Sequence, residues 1–89
     1  NAAHDARTVL ENVERIVAVE LLAAAQGVDL RREQLGGTAR LGGGTRAAYD
    51  VLRDHVAFLE HDAPLSPLIE AVAELVADGT LVDAVKAAI

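Results

Sequence analysis

The stretch ENVERIVAVELLAAAQ, residues 11–26, limits the possible folds more than any other part of the chain. Apolar residues at positions 9, 10, 13, 16, 17 and 21 follow the spacing of one helical face. The opposite stripe begins polar with His4, Thr8, Glu11 and Arg15, then turns apolar at Ala18 and Leu22. From Ile16 to Ala25 only Glu20 interrupts the apolar run. A helix that starts amphipathic and ends apolar on all sides must be surrounded at that end. The run is shorter than the ~20 apolar residues a bilayer span requires, so the surroundings are expected to be protein. The rest of the chain is too short to supply them all, and the sequence reads as a piece of something larger.

Composition points the same way. The 89 residues allow one domain at most, read here as a single helical segment. Aromatic residues are 2% of the chain, Tyr49 and Phe58 alone, and alanine and branched aliphatics dominate the 52% apolar fraction. Small side chains let helices approach closely but each buries little area, so a free-standing core would be marginal. A net charge of −6 argues against a nucleic-acid partner or an anionic membrane surface. Cysteine is absent, which excludes disulfides, thiol catalysis and cysteine-ligated metals. The amino end, NAAHDAR, lacks the basic lead and apolar core of a secretory leader, and a cytoplasmic location is the default expectation. The missing initiator Met fits an excised segment.

In chain order, residues 1–27 are expected to form a long helix ended by Gly27 at the C′ position, with Glu11 and Arg15 paired on its exposed face. Residues 28–44 hold five of the seven glycines and read as a glycine-rich loop. Residues 45–89 read as the remaining helices. The second starts after Thr45 as N-cap, with Ala48, Val51, Leu52, His55, Val56 and Leu59 inward and Arg46, Asp50, Arg53 and Asp54 outward. Residues 60–64 break it, since Pro64 disfavours helix just before it. Ser66-Pro67 reads as N-cap and first helical residue of a third helix, with Leu68, Ile69, Val72, Leu75 and Val76 inward, ending at Gly79. Thr80 is expected to cap a last helix over residues 81–89 with Leu81, Val82, Val85 and Ile89 inward. No segment alternates as a strand does, so the fold class is all-α.

Chemistry is sparse. Gly42-Gly43-Gly44-Thr45-Arg46 leads into a helix and offers backbone N–H groups to an anion, but the lysine of a phosphate-binding loop and its preceding strand are absent. A connector that starts a helix is the plainer reading. His4, His55 and His61 show no helical ligand-pair spacing, and zinc needs three or four converging ligands. His4 reads as solvated, His55 as packed and hydrogen-bonded. Glu20 lies on the face of Val13, Ile16, Ala24 and Gly27, where a carboxylate either pairs with a cation or has a raised pKa. Pairing with an Arg of the loop or of another chain is the expectation. Ser66, preceded by Leu65 and followed by Pro67, does not match the attachment serine of an acyl carrier protein. No nucleophile with a base and an orienting group can be assembled.

Two phrases carry a family resemblance. Residues 12–27, NVERIVAVELLAAAQG, resemble the helix near the carboxyl end of histidine ammonia-lyase and its aromatic amino-acid relatives. Residues 44–49 (GTRAAY), 51–56 (VLRDHV) and 62–67 (DAPLSP) resemble the segment that closes the same family. The resemblance implies part of a mostly helical, homotetrameric enzyme that eliminates ammonia from an amino acid. Its electrophile is 4-methylideneimidazol-5-one, formed from an internal Ala-Ser-Gly. Histidine, giving urocanate, is the implied substrate, with tyrosine or phenylalanine lyases and aminomutases as alternatives on the same scaffold. No Ala-Ser-Gly occurs in these 89 residues, and Tyr49 matches a family position other than the catalytic tyrosine. The resemblance therefore transfers no catalytic, cofactor-binding or metal-ligating residue to this chain. It implies a role in packing and subunit interfaces, inactive in isolation, with the remaining chain and other subunits as partners. An independent helical interaction module is the competing class.

Overall fold

A computed structural model describes residues 1–37, 40–59 and 64–89. Four helices follow one another: α1 (Ala2–Gln34), α2 (Gly43–His55), α3 (Ser66–Ala77) and α4 (Thr80–Ala87). No strand occurs among the described residues, so the class is all-α.

The first helix begins at Asn1, whose side-chain oxygen accepts the His4 N–H at 3.0 Å, with Asp5 against the positive helix end. It does not stop at Gly27, so residues 28–34, expected in the loop, are helical. A helical glycine costs about 1 kcal/mol relative to alanine, and Gly27 lacks the positive φ of a C′ glycine. The stop lies at Gly36 and Gly37, with φ of 65° and 79°. The Gly37 N–H donates to the Arg32 carbonyl at 2.7 Å and the Gly36 N–H to that of Glu33 at 3.1 Å. This is the Schellman pattern, which satisfies carbonyls the helix end would leave open.

Helix α2 starts earlier than expected. Gly42 is its extended N-cap (φ −63°, ψ 160°), and Thr45 lies within the first turn rather than capping it. The helix ends at His55, where Val56 turns extended (φ −137°, ψ 122°), so Leu59 lies beyond it. Pro67 occupies the first turn of α3 as expected, but Ser66 makes no capping bond and is itself the first helical residue. Gly79, at φ 82°, ends α3 and leads directly into α4. The Thr80 N–H donates to the Asp78 carboxylate at 2.9 Å, so Asp78 serves the turn in place of the expected Thr80 cap. Helix α4 ends at Ala87, and Ile89, expected inward, is 87% exposed.

The core is Ala18, Ala25, Leu52, Val56, Val72 and Leu75. Helices α1 and α3 share the most extensive packing, and α2 packs on α4. Ala18 and Ala25, two turns apart on α1, admit the larger Val72 and Leu75 of α3. Arg15 does not pair with Glu11. Its Nε donates to Glu70 of α3 at 2.8 Å, and Glu11 lies 3.7 Å from Arg7. The chain thus packs the stripe through Ala18, Leu21, Leu22 and Ala25 inward and turns the Val9–Val13–Ile16 stripe outward.

The result is a slab of 53 × 35 × 16 Å. Its radius of gyration is 14.6 Å, against about 12 Å for a compact chain of this length. Its accessible surface is 6156 Å², against about 5,000 Å² for a compact monomer of this mass. The helices form a layer with too little behind it to close a core.

Candidate functional site

Three features rise above ordinary packing. The first is a polar cluster where the α1 extension meets α2. Asp29 accepts hydrogen bonds from the Tyr49 hydroxyl and, at 2.9 Å, from Arg53 Nε. Arg53 Nη2 is 2.6 Å from the same carboxylate but off the line of its own N–H bonds, so that contact is ionic. Arg53 Nη1 donates to the Val56 carbonyl at 3.0 Å, which fixes the chain as it leaves α2. The guanidinium carbons of Arg32 and Arg53 each lie 5.7 Å from the Tyr49 ring centre. Arg53, expected outward, is therefore turned inward, with its side chain 17% exposed. Asp29 lies in the stretch expected as loop, where no local pattern marks it.

The second feature adjoins it. The Gln26 amide clamps Leu59, donating to its carbonyl at 2.8 Å and accepting its N–H at 3.2 Å. That two-point contact satisfies both backbone polar groups of Leu59, as a strand neighbour would. Beside it opens an apolar cavity of about 200 Å³ lined by Leu22, Gln26, Val56, Leu59, Leu65 and Ile69. Its lining carries no acid–base pair, and its polar groups are engaged in the contacts just named.

The third is the outward face of α1. Val9, Val13, Ile16 and Val19 are 61%, 47%, 59% and 48% exposed. Glu20 is exposed within this face and makes no ion pair among the described residues, so the loop arginine expected opposite it is not there.

The remaining candidates resolve into structure. A Cβ on Gly43 would meet the Ala88 carbonyl at 3.3 Å, and one on Gly44 would meet Val85 at 3.4 Å and Ile89 at 3.5 Å. The glycines thus let α4 approach the start of α2. Arg46 pairs with Asp50 at 3.1 Å rather than lying free for an anion. His55 is exposed instead of packed, and its Nδ1 lies 2.9 Å from the Val51 carbonyl. His4 is exposed, and His61 lies outside the described residues. No group of three potential metal ligands gathers among the described residues. The hydrogen bond and charge of Glu70 raise the Arg15 pKa above its ordinary value. Hydrogen bonds from the Thr80 hydroxyl and N–H hold the Asp78 carboxyl below the usual carboxylate range. Neither exposed group lies in a cleft with a nucleophile. No described helix is long and apolar enough to cross a membrane.

Comparison with known proteins supplies what the geometry lacks. The family described as aromatic amino acid lyase matches residues 1–54. The chain is 48% identical over 75 residues to a histidine ammonia-lyase of Chloroflexus aurantiacus, covering 84% of this chain and 14% of that protein. It is 50% identical over 86 residues to one of Symbiobacterium thermophilum, covering 97% of this chain and 16% of that protein. A Gloeobacter violaceus histidine ammonia-lyase is 47% identical over 87 residues, 98% of this chain and again 16% of the relative. No solved structure matches. The chain spans about one-sixth of the length of these curated relatives, and over that span it belongs to the aromatic amino acid lyase family.

Proposed function

We propose that this chain is the carboxyl-terminal helical part of a histidine ammonia-lyase, which converts L-histidine to urocanate and ammonia. Its identity of about one-half to histidine ammonia-lyases over most of its length carries the reading. Within that enzyme its role is structural. It packs as a single helical segment behind the active-site part of the chain and contributes to the subunit interfaces of a cytoplasmic homotetramer. The reaction in this family depends on an electrophile formed from Ala-Ser-Gly. These 89 residues contain no such triad, and their one serine, Ser66, lies between Leu65 and Pro67. They do not fit the group, and no chemical step is assigned to any of them.

The test is a spectrophotometric assay of the full-length chain with histidine, tyrosine and phenylalanine. Formation of urocanate supports the proposal. Turnover of tyrosine or phenylalanine alone would move the chain to a related lyase or aminomutase. No turnover of any would overturn the lyase reading and favour an independent helical module.

A further inference from the structure

Along α1, positions 9, 13, 16, 20, 23 and 27 alternate in steps of four and three. That is the spacing of a seam against which another helix packs. All six residues, Val9, Val13, Ile16, Glu20, Ala23 and Gly27, are exposed. The first three offer branched apolar side chains. Ala23 and Gly27, with Ala24 beside them, let a neighbouring backbone come close. Glu20 sits between the two halves with no cation on its own chain within ion-pair reach among the described residues. Covering this stripe desolvates the carboxylate, which is costly unless a cation comes with the cover.

From this we infer that the Val9–Gly27 stripe of α1 is the docking surface for an apolar helix that places a lysine or arginine opposite Glu20. That helix comes from the part of the lyase chain outside these 89 residues. The inference rests on the lyase reading for the source of the helix. The relatives are roughly six times longer than this chain, which leaves ample helix to cover it. A second copy of the same stripe is a poor occupant. Neither lysine nor arginine occupies its six positions, so Glu20 would face another carboxylate or an apolar side chain. The net charge of −6 also favours a basic complement.

The experiment uses the full-length chain with a photo-crosslinking amino acid in place of Ile16, and sequences the captured peptide. A peptide from outside residues 1–89, with a Lys or Arg one or two turns from the link, is the expected result. Capture of residues 9–27 of a second copy, or no capture, overturns the proposal. Ile16→Cys gives an independent reading. Alkylation in the native full-length chain should be at least about 100-fold slower than in urea, and equal rates overturn it. Glu20→Gln tests the cation, and should lower the Tm of the full-length chain by about 2 °C or more. An unchanged or raised Tm overturns the pairing. Histidine turnover by the unmodified chain is read in parallel. Its absence sinks the lyase reading alone, whereas the crosslink and the Tm judge the docking surface.

Discussion

Asp29 ties the α1 extension to α2. It receives the Tyr49 hydroxyl and the Arg53 guanidinium together, and both ionic side chains are mostly covered. Asp29→Ala leaves those donors without an acceptor, at a cost of about 2–3 kcal/mol. Amide exchange over residues 28–34 of the full-length chain should then quicken by roughly 30- to 160-fold. An unchanged rate would mean that the cluster does not hold the α1 extension. Asp78 makes a smaller, pH-dependent contribution. Its folded pKa is depressed by the Thr80 hydrogen bonds, so its stabilisation is present above the usual carboxylate range and lost as pH falls through the folded value. Exchange of the first α4 amides, taken relative to the intrinsic rate at each pH, should rise as pH falls below the usual carboxylate range. Asp78→Asn should raise it at neutral pH and flatten that dependence.

The helices themselves were largely legible in the sequence, and their ends were not. The apolar spacing of α3 named Val72 and Leu75, and both are buried. Gly27 resembles a helix end only by residue type, whereas the stop needs positive φ and a carbonyl to cap, which Gly36 and Gly37 provide. Arg53 looked like a surface residue until the α1 extension brought Asp29 to it. No local pattern announces a contact between residues 24 positions apart. The glycine phrase at 42–44 reads only as a connector that starts a helix, because its packing partner, α4, lies far along the chain. Two predictions follow at this scale. Gly27→Ala should increase the far-ultraviolet circular dichroism helicity of the isolated chain, since a Cβ there meets nothing within 4 Å. Gly44→Leu should separate α4 from α2 by driving a side chain into Val85 and Ile89, seen as lost exchange protection in α4 and a lower Tm of the full-length chain.

At the scale of the whole molecule, the chain is a layer rather than a globule. Among the described residues six buried apolar side chains hold it together, while Val9, Leu10, Val13, Ile16, Val19 and Leu30 of α1 remain open to solvent. Exposed apolar faces of this extent mark interaction surfaces. Leu22→Asp in the full-length chain, which would bury a charge between α1 and its neighbours, should abolish assembly rather than alter substrate preference. An assembled enzyme with changed selectivity would contradict that role. The most direct test of the central claim is a thermal melt of the isolated 89-residue chain followed by circular dichroism. A broad, shallow loss of helicity is expected, as for helices whose packing surface is missing. A sharp cooperative transition would show that the chain folds as an independent unit and would contradict the claim that its stability resides in the larger enzyme.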